Sequence, residues 1–109
     1  MADSLAERGK AHETQFKLTQ EQEFKAEARR NRLLGEWLAE RFGLPESEVA
    51  DYAKSVVVAD LEEPGIEDVM RKVMKDIAEH EADISEDEVR EKLDGLMDVA
   101  KQQIADEAS

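Results

Sequence analysis

In the stretch SEDEVREKLDGLMDVAKQQI, Ser85 to Ile104, the apolar residues Val89, Leu93, Leu96, Met97, Ala100 and Ile104 recur at steps of 4, 3, 1, 3 and 4. Only an α-helix gathers residues with that spacing onto one face. Its start is marked as well. Ser85 can cap, Glu88 stands three residues on where a capping box needs it, and Ile84 and Val89 occupy the two positions of a hydrophobic staple. A helix with one apolar face must bury that face against other elements, so the rest of the chain has to supply them.

It supplies three more helices and no good strand. Pro64 and Gly65 precede a segment with Glu67 and Asp68 in its first turn, where acids complement the helix dipole, and with Ile66, Val69, Met70, Val73 and Ile77 as its stripe. A helix is expected from near Pro45, with Val49, Tyr52, Ala53, Val56, Val57 and Leu61 inward. Val56 to Val58 have strand propensity, but so short a strand would have no partner. The first helix contains FKAEARRNRLLGEWLAERFG, buries Leu33, Leu34, Trp37, Leu38 and Phe42, and ends at Gly43, a natural left-handed cap. Short connections imply that sequence neighbours pack antiparallel or cross steeply. The expected fold is all-α, a four-helix bundle-like domain over residues 20–109, with helices at about 20–42, 45–62, 65–80 and 86–106. Aromatic residues are only 5% of the chain, so the core must be mainly aliphatic.

Residues 1–19 read differently. Between Ala2 and Glu23 the large apolar side chains are Leu5, Phe16 and Leu18. That is too little apolar area to offset an ordering cost of ~1–2 kcal/mol per residue for the backbone, so an arm that is mobile in the free protein is expected. The arm nevertheless has helical order in its pattern: Leu5, Gly9, His12 and Phe16 share one narrow stripe. Two helix-start signals precede helical stretches, Ser4 with Glu7 and Thr19 with Gln22. Alone, the helix could start at Thr19; against a partner that covers the stripe, it could start at Ser4.

Several chemistries have no residues to carry them. The chain has no cysteine, which removes disulfides, thiolate metal sites and cysteine nucleophiles. No phosphate-binding loop or dinucleotide fingerprint occurs. His12 and His80 lack metal-ligand spacing and read as contact or surface residues, and the acidic run Asp83–Glu88 lacks the alternation of a calcium loop. No catalytic residue, metal or obligate cofactor is expected, and no enzyme activity. No apolar run approaches the roughly 20 residues that span a bilayer, and the first residues lack a signal-peptide core, so a cytoplasmic monomer is the expectation.

Charge divides the chain. Net charge is −13, yet residues 1–42 hold eight basic and eight acidic groups, and residues 43–109 hold seven basic and twenty acidic. The acidic half repels nucleic acid and anionic membranes. Arg29, Arg30 and Arg32 lie where the two regimes meet. They can make ordinary helix pairs such as Arg32 with Glu36, or hold the helix to the acidic bundle, with the Arg30 stem packed along the apolar side. They can also form an anion site, either for a phosphate of weakly bound ADP or ATP near Arg29–Trp37 or for an acidic protein surface.

FKAEARRNRLLGEW (Phe24–Trp37), with AHETQF (Ala11–Phe16) upstream and EEPGIEDVMRKV (Glu62–Val73) downstream, closely resembles the zeta subunit, the inhibitor of F1-ATPase in alphaproteobacteria. The resemblance runs over nearly the whole chain. It implies a four-helix protein, peripheral on the inner-membrane ATP synthase, whose arm enters a catalytic alpha/beta interface near the gamma stalk and blocks ATP hydrolysis. Carried over by position, it implies partner contacts at Ser4, Leu5, Arg8, His12 and Phe16. A nucleotide-sensing helical regulator is the alternative.

Overall fold

The computed structural model describes residues 18–60 and 66–108. Four helices follow in order: α1 (Gln20–Phe42), α2 (Glu46–Ala59), α3 (Glu67–Glu79) and α4 (Glu86–Ala108). The described residues contain no strand, and the valine run 56–58 is helical. The expected inhibitory arm lies outside the described residues up to position 17, as do Leu61, Pro64 and Gly65.

Local chemistry sets the helix ends. Thr19 Oγ1 accepts from the Gln22 amide, and Gln22 Oε1 accepts from the Thr19 amide, which completes the capping box at α1. At the other end Gly43 has φ 74°, and the amides of Gly43 and Leu44 donate to the carbonyls of Glu40 and Ala39, a Schellman closure. The same closure ends α3, where Ala82 reaches the Ile77 carbonyl; here the left-handed residue is Glu81, at φ 53°. At α4 the box expected from Ser85 and Glu88 is half made. Ser85 Oγ accepts from the Glu88 amide, but the Glu88 carboxylate turns away to Arg41 at 2.9 Å. A charge-assisted bond across helices displaces the local one.

α1 is the spine. It runs antiparallel to α4, since Arg41 meets Glu88 at one end and Arg29 meets Glu107 at the other. It also packs closely on α2: a Cβ built on Gly35 would lie 2.6 Å from the Ala53 Cα. α3 closes the bundle against α2 and α4. The main core joins Leu34 and Leu38 of α1, Val56 of α2, Val69, Met70, Val73 and Ile77 of α3, and Val89 and Leu93 of α4, with Ile84 from the turn before α4. A smaller cluster of Ala26, Ala100 and Ile104, with Leu18 against it, holds the far ends of α1 and α4 together.

The α1 stripe differs from the one its large side chains suggest. Leu34 and Leu38 are buried as expected, but Leu33, Trp37 and Phe42 are only half-buried. The other fully enclosed positions are Ala26, Asn31, Gly35 and Ala39, small or polar. A helix gripped on two sides needs small residues where a neighbour approaches closely, and reasoning from bulk alone overlooks them. Trp37 therefore sits at the core's edge, its ring flanked by Arg41 and Lys92, each 5.3 Å from the centroid. Leu96 and Met97 of α4, Val49, Tyr52 and Val57 of α2, and Ile66 before α3 are likewise half-buried. Phe42 stacks on His80 with centroids 4.2 Å apart, and the Tyr52 hydroxyl donates to Asp76 at 2.7 Å. Burial and that carboxylate push the Tyr52 hydroxyl pKa well above its ordinary value.

Candidate interaction site

The N-terminal half of α1 projects three cations on one face. Lys25, Arg29 and Arg32 are separated by four and three residues, so the helix aligns them along one side of a groove of about 330 Å³. Ala28, Val57 and Ile104 give the groove an apolar lining, and Glu107 closes it from α4. Arg29 is already engaged: its guanidinium donates to Gln103 Oε1 at 2.7 Å and pairs with Glu107 at 2.9 Å. Arg32 and Lys25 are free by comparison. Their pairs with Glu36 and Glu21 span 3.9 and 4.0 Å between exposed groups, worth a few tenths of a kcal/mol at most.

Arg30 does not join this face. It is 8% exposed, and its Nε donates to Oδ1 of the fully buried Asn31 at 3.0 Å. The three arginines that the sequence places together thus divide: Arg29 and Arg32 line the groove, while Arg30 turns inward toward the end of α2. Lys25 takes its place in the groove, a residue the sequence reading left out although its offset from Arg29 was enough to find it.

Where Arg30 points, α1 meets the end of α2 and the start of α3. Asp60, at the α2 C-terminus, has its carboxyl pKa raised, chiefly by burial, with the Asn31 amide and the Arg30 charge acting against that and Asp68 adding to it. Asp68 is 4% exposed and binds Arg71 at 2.7 Å through one oxygen, while its other oxygen has no hydrogen-bond partner among the described residues. This knot joins the three helices where they meet, with Asn31 fully buried, while Asp68 also lines a groove of about 330 Å³ together with Arg71, Lys72, Lys75 and Asp76.

Ser4, Leu5, Arg8, His12 and Phe16 lie outside the described residues. His80 is exposed, stacks on Phe42 and approaches the Asp76 carbonyl through Nδ1 at 3.0 Å, a packing role. Among the described residues no group of three or more acidic, histidine or cysteine side chains is arranged to hold a metal, and no helix is long and apolar enough to cross a membrane.

The model of the family described as ATPase inhibitor subunit zeta matches residues 1–103. No curated protein matches the chain. Among solved structures, a solution NMR structure is similar to it at 55% sequence identity and a TM-score of 0.69, covering 77% of this chain and 95% of the other. The family match spans the residues before α1, the basic face of α1 and all but the end of α4, and on that breadth the chain belongs to the ATPase inhibitor subunit zeta family: it is a regulatory protein that binds and inhibits an ATPase, not an enzyme.

Proposed function

We propose that the chain blocks ATP hydrolysis by F1-ATPase by inserting residues 4 to about 17 as a helix into a catalytic alpha/beta interface beside the gamma subunit. The observation that carries this reading is the family match from residue 1, which includes the segment before α1. Its support is local. α1 begins at a completed cap on Thr19, and the preceding segment holds its own start signal at Ser4 and Glu7, followed by Leu5, His12 and Phe16 on one stripe with Arg8 beside it. The acidic body stays outside, on the F1 part of the ATP synthase, as a peripheral cytoplasmic subunit.

Folding on binding limits affinity through an ordering cost on the order of 2–5 kcal/mol. Gly9 adds to that cost. Gly9→Ala should tighten inhibition by up to ~1 kcal/mol, about fivefold. Phe16→Ala removes the one aromatic group on the stripe and should weaken inhibition by more. Neither change alters charge. Inhibition curves of ATP hydrolysis at two salt concentrations test the reading, and curves unchanged for both variants, with inhibition lost in high salt, would sink it.

A second reading has one observation in its favour. Lys25, Arg29 and Arg32 share a groove of about 330 Å³, and a phosphate of ADP or ATP fits the chemistry of three such cations. ADP titration should then shift resonances around that groove, and Arg32→Gln should abolish the shifts.

A further inference from the structure

A second groove lies on the other flank of α1, between that helix, the start of α2 and the middle of α4, with a volume of about 510 Å³. Its floor is apolar: Trp37, Leu44, Val49 and Leu96, all half-buried. Val99, on the same flank of α4 and 43% exposed, continues the apolar strip by one turn. Beside it Gly95 presents bare backbone, since a Cβ there would have nothing within 4 Å. Glu36, Glu40 and Glu46 stand on the rim.

The rim is unfavourable as it stands. Glu36 and Glu40 are one helical turn apart, where like charges repel. Glu36 reaches only Arg32, at 3.9 Å, and Glu40 and Glu46 have no ion pair among the described residues. The one cation lining the groove, Lys92, lies over the Trp37 ring rather than on a carboxylate. An apolar floor edged by three carboxylates with so little compensation is complementary to one kind of surface: an amphipathic helix that is apolar on one side and carries Lys or Arg along its edges.

We propose that this groove is a second docking surface, and that it receives a basic amphipathic helix of the ATPase while the N-terminal segment does the inhibiting. The proposal rests on the ATPase being the partner, and the groove contact itself does not depend on how the arm acts. The groove holds the body in place, so that the inserted segment and the groove bind as two linked modules on one complex.

The chain has no cysteine of its own, so a single introduced thiol reports on one position. In the full-length protein, Val49→Cys places that thiol in the groove, and Lys75→Cys places one on exposed α3 as the control. Purified F1-ATPase from the same organism is added to saturation, and the rate of reaction with a thiol reagent is followed by the mass of this chain. Groove occupation should slow Val49→Cys by about tenfold or more and leave Lys75→Cys within about twofold, because a docked interface core excludes water. The double reversal Glu36→Lys, Glu40→Lys should weaken F1 binding by about tenfold, with most of that loss disappearing in high salt. Equal Val49→Cys rates with and without F1, under full inhibition, overturn the proposal and leave the arm reading standing. Protection without F1 that grows with protein concentration also overturns it, since a second copy is then the occupant. Protection without F1 that Phe16→Ala removes overturns it in favour of the chain's own arm. If Phe16→Ala leaves inhibition intact while F1 still protects Val49→Cys, the arm reading fails and the groove remains.

Discussion

Two glycines in long helices show how much a single side chain depends on what faces it. A methyl group at Gly35 would meet the Ala53 backbone at 2.6 Å, and backbone cannot rotate aside. Gly35→Ala should therefore destabilise the protein by ~1–3 kcal/mol, because overpacking outweighs the ~1 kcal/mol that alanine gains in helix propensity. Gly95→Ala meets open space and should stabilise by ~1 kcal/mol. Glu81, the left-handed residue after α3, should also improve as glycine, by ~1 kcal/mol. Urea denaturation of the three variants decides the matter, and a stabilised Gly35→Ala would mean that α1 and α2 stand further apart than described. None of these signs could be read from sequence. Gly43 was legible because its cap is local, but Gly35 and Gly95 differ only in what tertiary packing brings near them.

The helices themselves were largely legible, for the same reason in reverse. Caps at Thr19, Ser85 and Gly43 and the stripes of α3 and α4 act within a few residues, so short-range chemistry fixes them. Trp37 was placed less well because α1 is held by α2 on one side and α4 on the other, which moves its enclosed face toward Ala26, Asn31, Gly35 and Ala39, whereas Arg30 packs inward as one of its sequence readings has it. The same crowding raises the pKa of Asp60. Its pKa is raised in the folded chain, so between its ordinary value near 3.8 and the folded value the native state binds more protons than the unfolded one. Stability from that carboxyl is therefore fully present below about pH 3.8 and is lost as pH rises through the folded pKa. The α2 C-terminus adds to this, since a carboxylate there faces the negative end of the dipole. Asp60→Asn should be more stable than the parent at pH 7, with the gain gone below about pH 3.8. A gain that persists in acid would mean that the charge is not its source.

At the scale of the whole molecule, the division of charge between the two halves becomes a division of labour. Among the described residues, both clusters that hold the body together are drawn from positions 18 to 104, with Leu18 the most N-terminal contributor. The basic groove, the acidic-rimmed groove and the knot around Asn31 are built from those same helices. Removing residues 1–17 should then leave the helical signal and the thermal transition nearly unchanged while abolishing inhibition of ATP hydrolysis. The boundary is sharp: cutting two residues further would remove Leu18 from the small cluster and the Thr19 cap, worth ~1 kcal/mol at α1. Calorimetry on the two truncations, alongside an F1 hydrolysis assay, separates the cases. A fall of more than about 10 °C for the first truncation, roughly 2 kcal/mol in a domain of this size, would show that the segment completes the core. Intact inhibition by the truncated chain would move the inhibitory contact to the body, and the acidic-rimmed groove beside Trp37 would then be the surface that makes it.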